Sequence, residues 1–417
     1  MPESCAARRP RAIIIGGSMA GLFCGVLLRA AGWEVDLYER AGEELASRGA
    51  GIATHDELYA AFVAAGIDLR AEMGVKSEGR IVFDRAGRIL GECAMPQIMT
   101  SWGFVFRFLR TRFPDAHYHG GHAFEDLRQD ADGVEARFTN GVTARADWLI
   151  GADGTRSTVR QRLFPGISPA YCGYFAWRGL FDEARVPPAV LAQVAYRMAF
   201  SATPRGHWLG YLVAGPGDDL TPGRRWYNWG WYRRADEAAL RAHLSDAGGR
   251  HHPLGIPHDR MNPALVAAMR LEAHKELAPP IQRIVEATPQ PYIQAIYELG
   301  SPRMQVGRTL LIGDAAFTAR PHVGLGVSKA AEDARSLAAA LGAEDRGAAL
   351  QAWETARLRY GRAAMQWGRD LGSYIEHPEA REPALRATVE HYRRADTLMR
   401  ETAANAPARH LESRLGA

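Results

Sequence analysis

An apolar run, Ala12-Ile13-Ile14-Ile15, breaks into Gly16-Gly17-Ser18-Met19-Ala20-Gly21 and is followed by a second apolar run that ends at Glu39 and Arg40. This order predicts a buried strand that turns sharply into a helix and returns as a parallel strand, which commits the chain to a doubly wound α/β unit. The turn has a chemical consequence. Free N–H groups and the partial positive charge of a helix N-terminus suit a pyrophosphate, and an acid at Glu39 suits the two ribose hydroxyls of an adenine dinucleotide. A carboxylate there disfavours a 2′-phosphate. Ser18 stands where the pattern usually has a glycine, so the turn of any doubly wound domain, with Glu39 at a solvated strand end, is the competing reading.

Two later strands end in the same manner. Leu149-Ile150-Gly151-Ala152 runs into Asp153-Gly154, and Thr309-Leu310-Leu311-Ile312 runs into Gly313-Asp314-Ala315-Ala316. With Arg48-Gly49-Ala50-Gly51-Ile52 after the first unit, the set resembles the FAD-dependent aromatic hydroxylases, the single-component flavoprotein monooxygenases with the p-hydroxybenzoate hydroxylase fold, over about residues 10–375. Tyr171 to Gly179, Gly307 to His322 and Lys329 to Arg335 are similar to the 2,6-dihydroxypyridine 3-hydroxylase branch.

The resemblance implies a Rossmann-like FAD-binding domain with a parallel sheet, interleaved with an antiparallel-sheet substrate domain and followed by C-terminal helices. It implies bound FAD, with NADH or NADPH as a transient co-substrate and O2 added at flavin C4a, the hydroperoxide then passing its distal oxygen to a small hydroxylated aromatic or N-heteroaromatic ring such as a dihydroxypyridine. The first motif, Gly16 to Gly21 with Glu39 and Arg40, would hold the ADP half. Asp153 would lie near the pyrophosphate and the nicotinamide approach, and Gly313-Asp314 would hold the ribityl chain. Arg48, Pro321, Gly324, Gly326 and Val327 fall where the family contacts the flavin, and Gly324-Leu325-Gly326 opening a helix would aim N–H groups at reduced flavin. Arg107 is a further candidate flavin contact, in surroundings that match the family poorly.

Ring hydroxylation beside a phenolic oxygen is favoured by deprotonation, which calls for a base or strong acceptor near the ring. His322 is either a polar contact in the flavin loop or a hydrogen-bonded loop residue. His207 and Tyr211, four apart on one strand face, either flank the pocket or pack at the strand end and in the sheet. Trp177 and Arg178 fit a structural element at the domain interface. The run Trp226 to Tyr232 alternates between a pocket wall and a core. Its Trp229-Gly230-Trp231-Tyr232 continues into Arg233-Arg234, unlike the Trp-x-Trp-x-Ile-Pro of flavin halogenases. Halogenase, a hydroxylase of lipid quinol precursors and a plain NAD-dependent dehydrogenase remain as alternatives, the last leaving Asp153-Gly154 and Gly313-Asp314 without a purpose.

A chain of 417 residues with 47% hydrophobic content can bury a core large enough for two domains. Its formal charge of +4, spread along the chain, implies neither nucleic acid nor an anionic membrane. Cys5, Cys24, Cys93 and Cys172 have no metal-ligand spacing and read as free thiols of a cytoplasmic protein; no metal is expected. The family likeness adds a homodimer. The expected organisation is a FAD-binding domain at 10–164, a substrate domain at 165–300, completion of the first domain at 301–375 and a helical extension at 376–417. Helical periodicity spans Ala53 to Gly66, and Arg80 to Leu90 reads as a short hairpin.

Overall fold

The computed structural model describes residues 8–42, 51–67, 69, 73–203, 206–253, 255–256 and 260–404. Arg48 lies outside them, as does Cys5. Two large sheets organise the chain. The first has six strands in the order Gln305–Val306, Thr309–Leu311, Trp148–Gly151, Arg11–Ile15, Glu34–Tyr38 and Tyr118–His119. Its central strands are parallel, with Ile13 opposite Leu149 on one side and Asp36 on the other. Ile13, Ile14 and Ile15 are all buried, as expected of a parallel strand covered on both faces. Helices Met19–Ala30 and Gly326–Gly342 pack together over it.

The second sheet has nine strands, in the order Phe317–Thr318, Tyr292–Gly300, Ala170–Asp182, Trp226–Arg234, Gly206–Val213, Arg197–Thr203, Val75–Phe83, Ile89–Ser101 and Gly51–Ala53. Trp208, Trp229 and Trp231 point to its far face, where they join Trp177 in a core beneath the helices Pro263–Glu276 and Pro279–Ala287. The alternate positions Asn228, Gly230 and Tyr232 are left for the near face.

Three elements differ from expectation. Gly51–Ala53 is a strand paired with Ile89–Ser101, so the helix begins only at Asp56. The hairpin around Asp84 to Gly87 is longer than its turn signal shows, with arms Val75–Phe83 and Ile89–Ser101. Those arms pair into the nine-stranded sheet, so residues within 51–101, expected with the FAD-binding unit, cross to the other one. A sequence boundary near residue 164 misses this because long-range pairing, not local pattern, decides which sheet a strand joins.

The helix Arg346–Glu376 ties the halves together. At about 1.5 Å per residue its 31 residues span about 46 Å. Leu350 and Trp353 sit in the core of the parallel sheet, while Trp367, Leu371 and Tyr374 sit against the antiparallel one. Helices Pro383–Tyr392 and Ala395–Glu401 follow. Among the described residues no helix is long and apolar enough to cross a membrane.

Candidate active site

Two cavities share one wall. The smaller, about 490 Å³, is bordered by Gly16, Ser18, Met19, Ala20, Glu39 and Arg40. The larger, about 1170 Å³, opens between the two sheets. Arg40, Asp153, Gly154, Arg156, Asp314, Gly326 and Val327 border both, so the pair forms one elongated trough.

The glycine turn is built for close approach. Gly16 has φ +109°, and a Cβ there would collide with the carbonyl of Ala152. Glu39 is buried, and its Oε2 accepts from the Gly17 N–H at 2.8 Å while Oε1 accepts from Ala41 at 2.9 Å. The carboxylate therefore ties the turn to the end of the second strand as well as bordering the cavity. The tie to the turn was not visible in the spacing alone.

Asp153 and Asp314 come together from strand ends far apart in sequence. Asp153 Oδ2 accepts from the N–H groups of Thr158 and Val159, at 2.7 and 3.2 Å. Its Oδ1 is buried with no partner, and burial pushes its pKa up. Arg160, fully buried, donates to Thr155 O at 2.7 Å and to Ala315 O at 2.9 Å, which fixes the Asp153 loop against the Asp314 loop. Asp314 also has a pKa raised by burial, opposed by nearby Lys329. The Lys329 Nζ is buried without a hydrogen-bond partner, 3.8 Å from Asp314 and 3.6 Å from Asp333. Asp333 in turn accepts from Gly313 N at 2.9 Å and pairs with Arg357 at 2.6 Å.

These features fit FAD. A glycine turn at a helix start borders the smaller cavity, the trough is elongated as a dinucleotide is, and a carboxylate oxygen and an ammonium without hydrogen-bond partners lie along it. The helix Gly326–Gly342 begins at the shared wall, where its free N–H groups face the trough. Pro321 and Gly324 border the larger cavity beside it. Gly21 borders neither cavity; a Cβ there would meet the carbonyl of Gly16, so its part is to let the helix pack on the turn. Gly17 and Gly313 likewise act through close packing, against Glu39 and Ala20.

The remaining candidates separate. Tyr211 borders the larger cavity, where burial pushes its hydroxyl up to about 12. His207 and His322 do not border it. His207 is fully buried, its Nδ1 2.5 Å from the Tyr374 hydroxyl, and burial drives its pKa down to about 3. His322 shares a hydrogen bond of 2.8 Å between Nε2 and the Tyr174 hydroxyl, and burial holds it well below the usual histidine range. The two rings lie 5.2 Å apart in a box closed by Tyr174, Tyr232 and Tyr374. Contrary to the catalytic expectation, neither histidine borders the trough, and burial favours the neutral form of each. His207 does share a strand face with Tyr211, but it lies at the end covered by the helix Arg346–Glu376. Arg107 is corrected too, since it pairs with Asp218 and borders neither cavity.

Sequence reasoning missed other groups. Arg178, expected at a structural interface, lies on the floor of the larger cavity with Asn228, Tyr232, Tyr292 and Gln294. Its position on the opposite strand face from buried Trp177 was the available signal. Thr402 and Ala403, from the C-terminal extension, supply part of the wall near Gly324. They are held by Arg80, fully buried, which donates to the carbonyls of Met399 at 2.9 Å, Ala403 at 2.6 Å and Thr402. Ala403 N donates to His322 O at 2.8 Å.

Comparison with known proteins places this geometry. A family described as "FAD binding domain-like" matches residues 171–298, and one described as "FAD binding domain" matches residues 297–368. The chain is 32% identical over 374 residues to 2,6-dihydroxypyridine 3-monooxygenase of Paenarthrobacter nicotinovorans, covering 89% of this chain and 93% of that protein. It is 26% identical over 354 residues to 6-hydroxynicotinate 3-monooxygenase of Pseudomonas fluorescens, covering 80% and 83%. The solved structure of 2,6-dihydroxypyridine-3-hydroxylase from Arthrobacter nicotinovorans superposes with a TM-score of 0.83 at 31% identity, covering 90% of this chain and 95% of that one.

Proposed function

Because the chain belongs to the family of FAD-dependent aromatic monooxygenases, we propose that it uses NADH or NADPH and O2 to hydroxylate a small hydroxylated N-heteroaromatic ring, a dihydroxypyridine or close analogue. The observation that carries this reading is the trough itself: a dinucleotide cradle continues, past Asp153 and Asp314, into a cleft floored by tyrosines, amides and one arginine. When bound, FAD supplies the redox chemistry, accepting a hydride from the nicotinamide and passing one oxygen atom of O2 to the ring while the other leaves as water.

This chain's own residues bind, orient and exclude water. Gly16, Ser18 and Met19 would present backbone to the pyrophosphate, with Glu39 at the adenosine ribose. Asp314, kept in place by Lys329, would take the ribityl hydroxyls, and the start of the helix Gly326–Gly342 would face the electron-rich edge of the ring system. Tyr211, Tyr232 and Tyr292 offer hydroxyls to polar atoms of the substrate, and Met198, Leu209 and Leu325 keep that end apolar. The described cysteines, Cys24, Cys93 and Cys172, are free thiols, which supports a reducing, cytoplasmic setting. The homodimer rests on family likeness.

The test is oxidation of NADH and of NADPH by the purified yellow protein with hydroxypyridines, hydroxybenzoates and a prenylated quinol precursor. Oxidation stimulated by a hydroxypyridine, with product carrying one atom from labelled O2, is expected. Stimulation by the quinol precursor alone would replace the substrate assignment, and a colourless protein that binds no added FAD would end the flavin reading.

A further inference from the structure

The floor of the cleft shows which charge state of the ring it accepts, an inference that rests on the monooxygenase reading. Arg178 lies on the central strand Ala170–Asp182, opposite Gly230 on one neighbour and Tyr292 on the other. Asn228 and Tyr211 face each other one row away on the same side, and Gln294 and Tyr232 flank Ala176 in the opposite row. The guanidinium is therefore surrounded by hydroxyls and amides. Gly230 lies beneath it: a Cβ there would stand 3.4 Å from the Arg178 Cδ, in ordinary van der Waals contact.

The cation has no counterion among the described residues. Its contacts are the Gln294 Oε1 at 3.3 Å, the Asn228 Oδ1 at 3.4 Å and the Tyr292 hydroxyl, and its Nε is buried without a partner. Two other cations of the cleft stand beside carboxylates. Arg320 holds Glu298 at 2.9 Å and Glu376 at 2.6 Å, and Lys329 lies between Asp314 and Asp333. A half-buried charge facing only neutral dipoles is a ready partner for a ligand anion. The tyrosines do not supply the anion, because burial pushes both Tyr211 and Tyr232 up to about 12 and keeps them as O–H donors. From the strand Val75–Phe83, Arg80 adds further positive potential near Tyr211.

Among the described residues no base borders this floor either. His207 and His322 do not border it and each bonds a tyrosine hydroxyl, and the carboxylates that border the cleft, Asp153 and Asp314, stand where the two cavities meet. We propose that the enzyme captures its ring substrate already deprotonated, as a hydroxy-heteroaromatic oxyanion whose charge rests on Arg178, rather than removing the ring proton itself. The oxyanion feeds electron density to the ring carbons beside and opposite it, which is the activation that electrophilic oxygen transfer requires. No proton moves to the protein in this step. The guanidinium remains charged throughout, so binding selects the ionised fraction of the substrate in solution.

Titrations of the FAD-loaded protein with three probes test this through perturbation of the flavin absorbance, which needs no turnover. The probes are 4-nitrophenol, its O-methyl ether, and a dihydroxypyridine, each titrated at a series of pH values spanning the ring hydroxyl's own pKa. The apparent Kd of each ionisable ring is expected to fall tenfold per pH unit up to that pKa and then level off, while the ether binds weakly and without pH dependence. Arg178→Met should weaken the anions at least a hundredfold and leave the ether within twofold; Arg178→Lys should recover part of the loss. A Kd that ignores the probe's pKa, or an ether weakened by Arg178→Met as much as the anion, would overturn the proposal. Anion preference without hydroxylation of any ring would instead retain this site and remove the substrate assignment.

Discussion

The two ends of the trough are made of different material. At the cradle the ligand-facing surface is backbone, from one turn, the ends of three parallel strands and the starts of helices; at the cleft floor it is side chain, from five antiparallel strands and a C-terminal strap. Backbone sites depend on conformations that few residues permit, so their sequence is constrained and local. Side-chain sites depend on which strand lies beside which. The cradle can therefore be common to many chemistries, while the floor sets the one chemistry performed here.

The largest expected effect comes at the cradle. Gly16→Ala places a Cβ against Ala152 in a positive-φ turn, for a cost of at least ~3 kcal/mol, or about a hundredfold in FAD affinity. Flavin fluorescence quenching during FAD titration measures it. If the variant bound FAD normally and lost only substrate affinity, the division between the two ends would be wrong.

Arg80→Met probes the other end. It leaves the carbonyls of Met399, Thr402 and Ala403 without their shared donor, and stability should fall by about 2 kcal/mol in denaturant unfolding. FAD affinity should hold within threefold while KM for the ring substrate rises about tenfold, since Thr402 and Ala403 would no longer stand as a wall. Equal losses at both ends would mean that the strap supports the whole fold rather than the cleft.

These contrasts explain what could be read from the sequence. The glycine turn, Glu39, Asp153-Gly154 and Gly313-Asp314 were legible because each is a strand end with its own local signature, and the chain order of the three fixed the fold. The strand Trp226–Arg234 was legible from its aromatic alternation. Arg178 was not, because its meaning lies in Gly230 and Tyr292, which are 52 and 114 residues away and adjacent only through strand register. His207 and His322 misled for the same reason. Their residue type suggested acid–base work, but Tyr374, brought over by the long helix, takes the one, and Tyr174 takes the other.

Acid should weaken the substrate end through these buried rings. His55, His207 and His322 all have folded pKa values below the ordinary 6.5, His55 at about 4 and His207 at about 3, each chiefly from burial. The unfolded chain takes up these protons near pH 6.5 while the folded one refuses them. Their stabilisation is therefore complete above that pH and is lost as pH falls toward the folded values, by up to about 1.4 kcal/mol per pH unit for each ring. Stability measured from pH 7 to 5 should fall steeply, and His207→Phe should flatten the slope by about one ring's share. A slope unchanged by His207→Phe would mean that His207 is protonated in the folded protein.

The smallest effect is the most discriminating about that box. Tyr374→Phe removes the hydroxyl bonded to His207 Nδ1 and nothing that touches the trough, so about 1 kcal/mol of stability should be lost. The ring volume is retained, His207 stays neutral, and kcat should remain within twofold of the parent, with FAD affinity unchanged. Arg178→Met, by contrast, should leave stability nearly as it was and lower kcat/KM for the anionic ring. Two polar groups, one on the long helix and one in the sheet it covers, would then have opposite signatures, one in folding and one in binding. A hundredfold loss of kcat in Tyr374→Phe, with stability intact, would reverse the assignment and return the paired histidines to the chemistry.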